Sequence, residues 1–492
     1  MRGLFGELTI PWNHVTTVVL TLGGFVLAFA LIPRIVMSRR ESGATLAWIL
    51  AIAFLPYAGA ILYFLIGRTR VWRRKRQRKR YRQAFLQALD GLPRTAARCD
   101  ASNSLPDLPR PAAEIARMGA CAAESPLLPG NRLEVLIDAN RTYALMEQAI
   151  RAAKHHVHVQ SYIFRGDDAG TRIRDALCDK AREGVAVRLL VDAVGSHGLR
   201  SAFVRPLLDA GGKFGRFMPV LPLRPHWRPN LRNHRKIVIV DGRIGFAGGL
   251  NIGDEHRGRK KRFKPWRDTH MRLEGAAVLR LQEVILEDWL FATDEDVIDP
   301  AYFPEGEPAG DDLVQIIGSG PDEAHGAIHA VFFTAINEAR RKVFITTPYL
   351  VPDPAMLMAL KSAVWRGVDV RILVPGKSDL PLVRLAGRSY YRELLEAGVK
   401  LYEHRPGILH AKTMVVDRAW STVGSANMDI RSFHLNFEVN VLVSGENMAG
   451  QLEDIFLTDV AEARPVALAK VLRKPAGARF LEGLAMVLSP IL

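Results

Sequence analysis

Asn233-His234-Arg235-Lys236-Ile237-Val238-Ile239-Val240-Asp241, followed closely by Gly248-Gly249-Leu250-Asn251, joins a buried strand to a pair of basic side chains. The apolar run from Ile237 to Val240 predicts a strand covered on both faces. Along a strand, residues two apart share a face, so His234 and Lys236 project together. An imidazole held beside a fixed cation suits a phosphate. The same grammar returns at His410-Ala411-Lys412, with Asp417 five residues after the lysine and Gly424-Ser425-Ala426-Asn427 beyond it. Two such strands predict one phosphate held between two halves.

The surrounding sequence repeats as well. Val157-His158-Val159-Gln160-Ser161-Tyr162 parallels Val343-Phe344-Ile345-Thr346-Thr347-Pro348-Tyr349. Glu183-Gly184-Val185-Ala186-Val187-Arg188 parallels Arg366-Gly367-Val368-Asp369-Val370-Arg371, and Leu207-Leu208-Asp209-Ala210-Gly211 parallels Leu394-Leu395-Glu396-Ala397-Gly398. Strand-like and helix-like stretches alternate in both copies, which predicts a duplicated α/β unit. The paired glycines Gly184 and Gly367 are 183 residues apart and the two histidines 176, so the Pro- and Arg-rich loop 219–232 is the longer of its pair. The expected domains are lobes at 131–300 and 311–492, a proline-broken linker at 83–130 with one short helix, and an anchor at 1–82.

The anchor is read from composition. Val15–Pro33 and Ser42–Gly67 carry no charge over 19 and 26 residues, each long enough for a membrane-spanning helix. They predict a transmembrane helical hairpin. The chain has a formal net charge of +16, and ten of the fifteen residues from 68 to 82 are Arg or Lys. That block should remain cytoplasmic. The short loop between the segments also carries Arg34, Arg39 and Arg40, which opposes a hairpin with both ends cytoplasmic. The excess charge favours an anionic partner, either lipid headgroups or a phosphorylated substrate. Trp48 and Trp72 read as interface anchors. Cys99, Cys121 and Cys178 have no metal-binding spacing and suggest free thiols. The tail from Arg479 is an apolar amphipathic helix expected to pack on its own lobe.

The two motifs can break a phosphodiester in two steps. A neutral imidazole attacks phosphorus and forms a phosphoryl-histidine. A second, protonated imidazole donates to the leaving oxygen and later deprotonates the incoming nucleophile. The candidate catalytic residues are His234, Lys236, Asp241, His410, Lys412 and Asp417. Asn251, Ser425 and Asn427 are candidate ligands for the nonbridging oxygens. With two histidines and two lysines no metal or cofactor is required of the chemistry, and there is no HExxH or EF-hand pattern. His155, His156 and His158 cluster without an acidic or cysteine partner and read as a strand end. The basic run Arg257–Arg267 reads as a solvated or lipid-facing loop; nucleic acid is not the expected partner.

These paired motifs resemble the phospholipase D superfamily. Further stretches are similar to bacterial cardiolipin synthases: Trp266-Arg267-Asp268-Thr269-His270, Ser319-Gly320-Pro321, Thr347-Pro348-Tyr349, and Asp429 to Glu438 with Arg431, Ser432 and Asn436. So is the run from Ala47-Trp48 to Phe54-Leu55-Pro56. One departure is Gly249, where Ser or Thr is usual. The resemblance implies an α/β fold of two pseudo-symmetric lobes. It implies phosphatidyl transfer between two phosphatidylglycerol molecules with release of glycerol, in a multi-pass protein of the bacterial inner membrane whose catalytic part is cytoplasmic. It also assigns attack to His234 and acid/base work to His410, an assignment the symmetry of the motifs leaves reversible, and gives Asp241 and Asp417 the task of supporting the histidines. The rivals are water as acceptor, phosphatidylethanolamine as donor, a membrane-tethered nuclease, and a scaffold without activity.

Overall fold

The computed structural model describes residues 12–38, 42–67, 75–88, 108–219, 230–258, 264–305, 307–322 and 326–489. The chain forms two compact units, an N-terminal one and a large one that begins at Val71.

In the N-terminal unit, helix α1 (Trp12–Met37) contains the one segment among the described residues that is long and apolar enough to cross a membrane, Thr16–Met37. The second apolar segment, expected to be a full span, is broken into α2 (Ser42–Phe54), α3 (Pro56–Leu62) and a π turn over Tyr63–Gly67. Pro56 causes the break. It forces the preceding residue out of the helical region, and Leu55 sits at φ −132° and ψ 68°. The chain then doubles back. The rings of Trp48 and Tyr63 meet edge to face at 5.5 Å, whereas fifteen residues of straight helix would separate them by roughly 22 Å. Gly59 permits the reversal, since a Cβ there would come within 2.5 Å of Ala51 O. The tip of the fold meets the middle of α1, where Tyr57 Oη donates to Leu20 O (2.8 Å) and Pro56 packs on Gly24.

The large unit is built on two sheets. In the first lobe the strands are β1 (Leu128–Leu136), β2 (His156–Ser161), β3 (Ala186–Asp192), β4 (Lys213–Phe217), β5 (Ile237–Val240), β6 (Ile244–Gly248) and β7 (His270–Glu274). They pair in the order β1-β7-β6-β5-β2-β3-β4. In the second lobe they are β8 (Asp312–Ser319), β9 (Lys342–Thr346), β10 (Asp369–Lys377), β11 (Lys400–Leu409), β12 (Thr413–Val416), β13 (Trp420–Gly424) and β14 (Asn436–Ser444). Their order, β8-β14-β13-β12-β9-β10-β11, is the same one. In each sheet the last three strands run parallel and need helical crossovers. Helices Asp168–Arg182 and Pro354–Trp365 fill corresponding places in the two lobes. The duplication expected from the sequence is therefore complete at the level of topology.

Both sheets are covered on both faces, which is why their strands read as continuous apolar runs. A shared inner core joins Ile237, Ile239, Met271 and Leu273 of the first lobe to Val314, Val415, Val439 and Val441 of the second. Helix Ala277–Thr293 lies inside it, buried on nearly every side. Separate outer cores fill the far face of each sheet. The sheets also meet directly, since β1 pairs with β8 through Leu128 and Val314.

Two stretches differ from expectation, and the C-terminal helix follows it. Helix Lys75–Ala88, at the end of the basic block, docks on the large unit: Tyr81 and Phe85 are fully buried, and Arg80 pairs with Asp296 at 2.6 Å. Within 83–130, helix Arg110–Ala123 carries Pro111 in its first turn, where a missing N–H costs nothing. Ala112 and Ile115 join the outer core of the second lobe. Cys121 is disulfide-bonded, whereas Cys178 is free and buried. The C-terminal helix Ala476–Leu488 packs on its own lobe through Ala485, as expected, yet leaves Phe480, Leu481, Leu484 and Val487 exposed. Residues 39–40, 72, 99, 220–229 and 259–263, on which parts of the sequence reading fall, lie outside the described residues.

Candidate active site

The two motif strands, β5 and β12, lie in equivalent positions of the two sheets, and the loops before them cross between lobes. Arg232-Asn233 pairs in parallel with Asn436-Phe437 of the second lobe, and Trp266-Arg267 of the first pairs with Ile408-Leu409. Consequently His234 N donates to Phe437 O (2.9 Å) and His410 N to Arg267 O (2.7 Å). Each histidine is thus fixed by backbone from the opposite lobe.

The side chains follow the same exchange. Nδ1–H of His234 donates to Glu438 Oε2 at 3.0 Å, and Nδ1–H of His410 donates to Asp268 Oδ2 at 2.7 Å. A carboxylate only accepts, so it fixes the proton on Nδ1 and leaves Nε2 of each ring as the free nucleophile or base. The carboxylates are themselves held. Ser425 Oγ donates to Glu438 Oε2 (2.5 Å), and Thr269 N donates to Asp268 Oδ1 (2.8 Å). Gly249, the glycine opposite Ser425 in the duplication, is explained here: a Cβ would collide with Asp268 Oδ1. The hydroxyl of Ser425 orients Glu438, and its expected contact with phosphate is not what the geometry provides.

Lys236 and Lys412 are buried, and each Nζ donates to the carbonyl oxygen of its own motif histidine. Lys236 Nζ also stands 5.3 Å over the ring of Tyr162, which packs edge-on against His234 at 4.9 Å. Trp266 and Tyr349 flank His410 at 5.2 and 6.4 Å. His256 is buried against Trp266, and neither of its ring nitrogens has a hydrogen-bond partner among the described residues.

Burial dominates the electrostatics. It pushes His234 down to about 4 against the opposing pull of Glu438, and it lowers His410. Both imidazoles are neutral at pH 7. Burial also takes Lys236 down to about 7 and lowers Lys412, so an arriving phosphate would restore their full charge. Burial alone would raise Asp268 and Glu438. Lys412 with His410, and His234 with Lys236, outweigh it and hold both carboxyls below their ordinary range.

Asp241 and Asp417 do not reach the histidines. Each lies just past its strand, with φ of 54° and 53°, and caps backbone. Asp241 accepts from the amides of Lys154, His155 and His156 at 2.8–2.9 Å. Asp417 accepts from those of Arg340, Arg341 and Lys342 at 2.7–2.8 Å. Asn251 Oδ1 accepts from Ile163 N (3.2 Å), and the buried Asn427 Oδ1 has no hydrogen-bond partner among the described residues. His156 and His158 pack around Tyr302, and burial keeps His156 near 4.

Of the groups that support the histidines, Asp268 had no role in the sequence-derived site, and Glu438, with Arg431, is readable from sequence only as a catalytic or a conformational support residue near the second motif. A signal for them existed. Gly249 N bonds Thr269 O as Ser425 N bonds Val439 O, so the residues just before, Asp268 and Glu438, are duplicates of one another.

Known proteins fit this arrangement. Residues 146–258 and 332–460 match the family described as cardiolipin synthase, PLD-like domain, and residues 26–68 match the phospholipase D-nuclease N-terminal family. Cardiolipin synthase 1 of Bacillus anthracis is 38% identical over 470 residues, covering 93% of this chain and 91% of its own. Cardiolipin synthase 2 of the same organism is 40% identical over 466 residues, covering 93% and 88%. The crystal structure of a phosphatidylserine synthase from Haemophilus influenzae shares the fold, with a TM-score of 0.58 and 15% identity over 84% of this chain and 100% of that one. With both lobes, both motifs and the N-terminal segment matched, the chain belongs to the cardiolipin synthase family of phospholipase D-like proteins.

Proposed function

We propose that the protein makes cardiolipin by moving a phosphatidyl group from one phosphatidylglycerol to another. The observation that carries the reading is the reciprocal pair of imidazoles, each held at Nδ1 by a carboxylate of the other lobe. Nε2 of His234 attacks phosphorus, a P–N bond forms, and the P–O bond to glycerol breaks. The anionic phosphodiester raises the proton affinity of His410 as it binds, so that His410 takes a second proton at Nε2 from solvent and gives it to the departing glycerol oxygen. The second phosphatidylglycerol then yields its hydroxyl proton to His410 while its oxygen attacks phosphorus, and the P–N bond breaks. Glu438 offsets the positive charge that develops on His234, and Lys236 and Lys412 balance the phosphoryl oxygens. Asn251 and Asn427 complete the proposed set of phosphate ligands. The division of labour is an anchor that ends near residue 70, before the large unit, and lobes over 131–300 and 311–492.

The anchor would hold the catalytic unit on the cytoplasmic face of the bacterial inner membrane. Support comes from the apolar length of α1, from the exposed apolar face of the C-terminal helix, and from the basic block. The test uses detergent-purified protein and phosphatidylglycerol. Cardiolipin and glycerol should form in equal amounts, and His410→Ala should accumulate a phosphatidyl adduct that His234→Ala does not. Phosphatidic acid without cardiolipin would make the enzyme a hydrolase. An adduct in His234→Ala alone would exchange the two roles.

A further inference from the structure

We propose that His329, Asp353 and His434 form a zinc-class metal site in the second lobe, separate from the cleft, that braces the segment between the second motif and Glu438. The three residues come from three elements. His329 lies in the first turn of helix Ala327–Glu338, Asp353 caps helix Pro354–Trp365, and His434 ends helix Ile430–His434. One ligand atom from each lies within 4.8 Å of the other two.

The donors gather around one carboxylate. Asp353 spends Oδ1 on its capping role, accepting from Met356 N at 2.9 Å. Oδ2 is left for the histidines. Nε2 of His434 meets it at 3.2 Å with hydrogen-bond geometry. Nε2 of His329 stands closer, at 2.7 Å. Two imidazole nitrogens gathered at one carboxylate oxygen form a donor set that a central cation can share. Tetrahedral bonds of about 2.1 Å set roughly 3.4 Å between neighbouring ligands; the two nitrogens lie 2.7 and 3.2 Å from the oxygen, and the three atoms stay within 4.8 Å of one another, so small side-chain shifts would admit the ion.

The donor set selects the ion. Two imidazoles and one carboxylate favour Zn²⁺ over Mg²⁺ or Ca²⁺, which prefer oxygen alone. The side chain of His434 is 48% exposed and that of Asp353 only 9%, so the site opens to solvent on one side. A water would take the fourth position there. None of the three side chains belongs to the reacting set. The ion acts through helix Ile430–His434, which starts at the cap Asp429 and ends four residues before Glu438. Tying that helix to two others restrains the segment that positions the partner of His234.

The test uses the full chain in detergent, purified with a tag that lacks histidine, stripped with chelator and dialysed against Zn²⁺. Wild type should retain about one zinc per chain and gain thermal stability from it. His434→Ala, at the exposed position, should fold normally, bind zinc about 100-fold more weakly or worse, and lose the zinc-dependent gain in Tm. His329→Ala should match it. Equal zinc retention by wild type and both variants would place any bound ion elsewhere and overturn the proposal. So would the absence of retained zinc in wild type.

Discussion

At the residue scale, the chemistry depends on two carboxylates that act through imidazoles. Glu438 is an anion fixed at 3.0 Å from Nδ1 of His234, and its charge raises the affinity of both His234 and Lys236 for protons. The pH profile of wild type follows. Neutral His234, near 4, keeps its free nitrogen available down to about pH 5, so kcat/KM should be flat on the acid side. Lys236, near 7, loses its charge as pH rises through that value, so kcat/KM should fall above neutrality. In Glu438→Gln both groups lose an anion that favoured protonation. Both limbs should therefore move to lower pH, and kcat should drop about 10²-fold because the developing charge on His234 is no longer offset. Asp268→Asn should do the same through His410. A drop in kcat with unmoved limbs would mean that these carboxylates only shape the site.

At the element scale, the repeat of apolar strands, glycines and His-x-Lys pairs made the duplicated sheet legible, and the strand order is the same in both lobes. The two motif strands sit centrally, β5 beside β2 and β12 beside β9, as their apolar runs Ile237–Val240 and Met414–Val416 require. Less could be read where a residue's task depends on a partner far away in sequence. Asp241 and Asp417 share the motif with the histidines, so they invited a catalytic reading. A capping carboxylate and a catalytic one look alike until the chain is folded. Asp268 and Glu438 lie 142 and 204 residues from the histidines they hold, and only the crossing of backbone between lobes brings them there. The caps have their own test. Both aspartates sit at positive φ, which asparagine tolerates, so Asp241→Asn and Asp417→Asn remove the charge without straining the turn. Each weakens three hydrogen bonds to backbone amides and should cost about 1–3 kcal/mol of stability. Thermal melts should shift down by several degrees while kcat of the folded enzyme stays near wild type. A large loss of kcat without a shift in melting would return both residues to the reacting set.

At the scale of the whole molecule, the question is how the N-terminal unit meets a bilayer. Two apolar stretches of adequate length led to two spans, but composition carries no information on where a helix reverses. Pro56 and Gly59 decide that locally. The 13 residues of α2 reach roughly 20 Å, short of the roughly 30 Å hydrocarbon layer. The fold's tip at Pro56 and Tyr57 meets α1 at Leu20, Gly23 and Gly24, near the middle of that helix. This geometry predicts that the second segment enters the membrane to about half depth and returns, with α1 as the crossing element. This arrangement removes the charge conflict in the sequence. Under that prediction Arg34, Arg39 and Arg40 would share a side with the basic block at 68–82, as the positive-inside bias requires, and Gly3 would lie opposite. Single cysteines placed at Gly3, Gly43 and Thr69 in a background without Cys99, Cys121 and Cys178 can be probed with an impermeant maleimide. Gly3→Cys should react in intact cells whose outer membrane is permeabilised. Gly43→Cys and Thr69→Cys should react only after the inner membrane is opened. Labelling of Gly43→Cys from outside, with Gly3→Cys and Thr69→Cys protected, would show that the second segment crosses completely and that the fold at Pro56 opens in the bilayer.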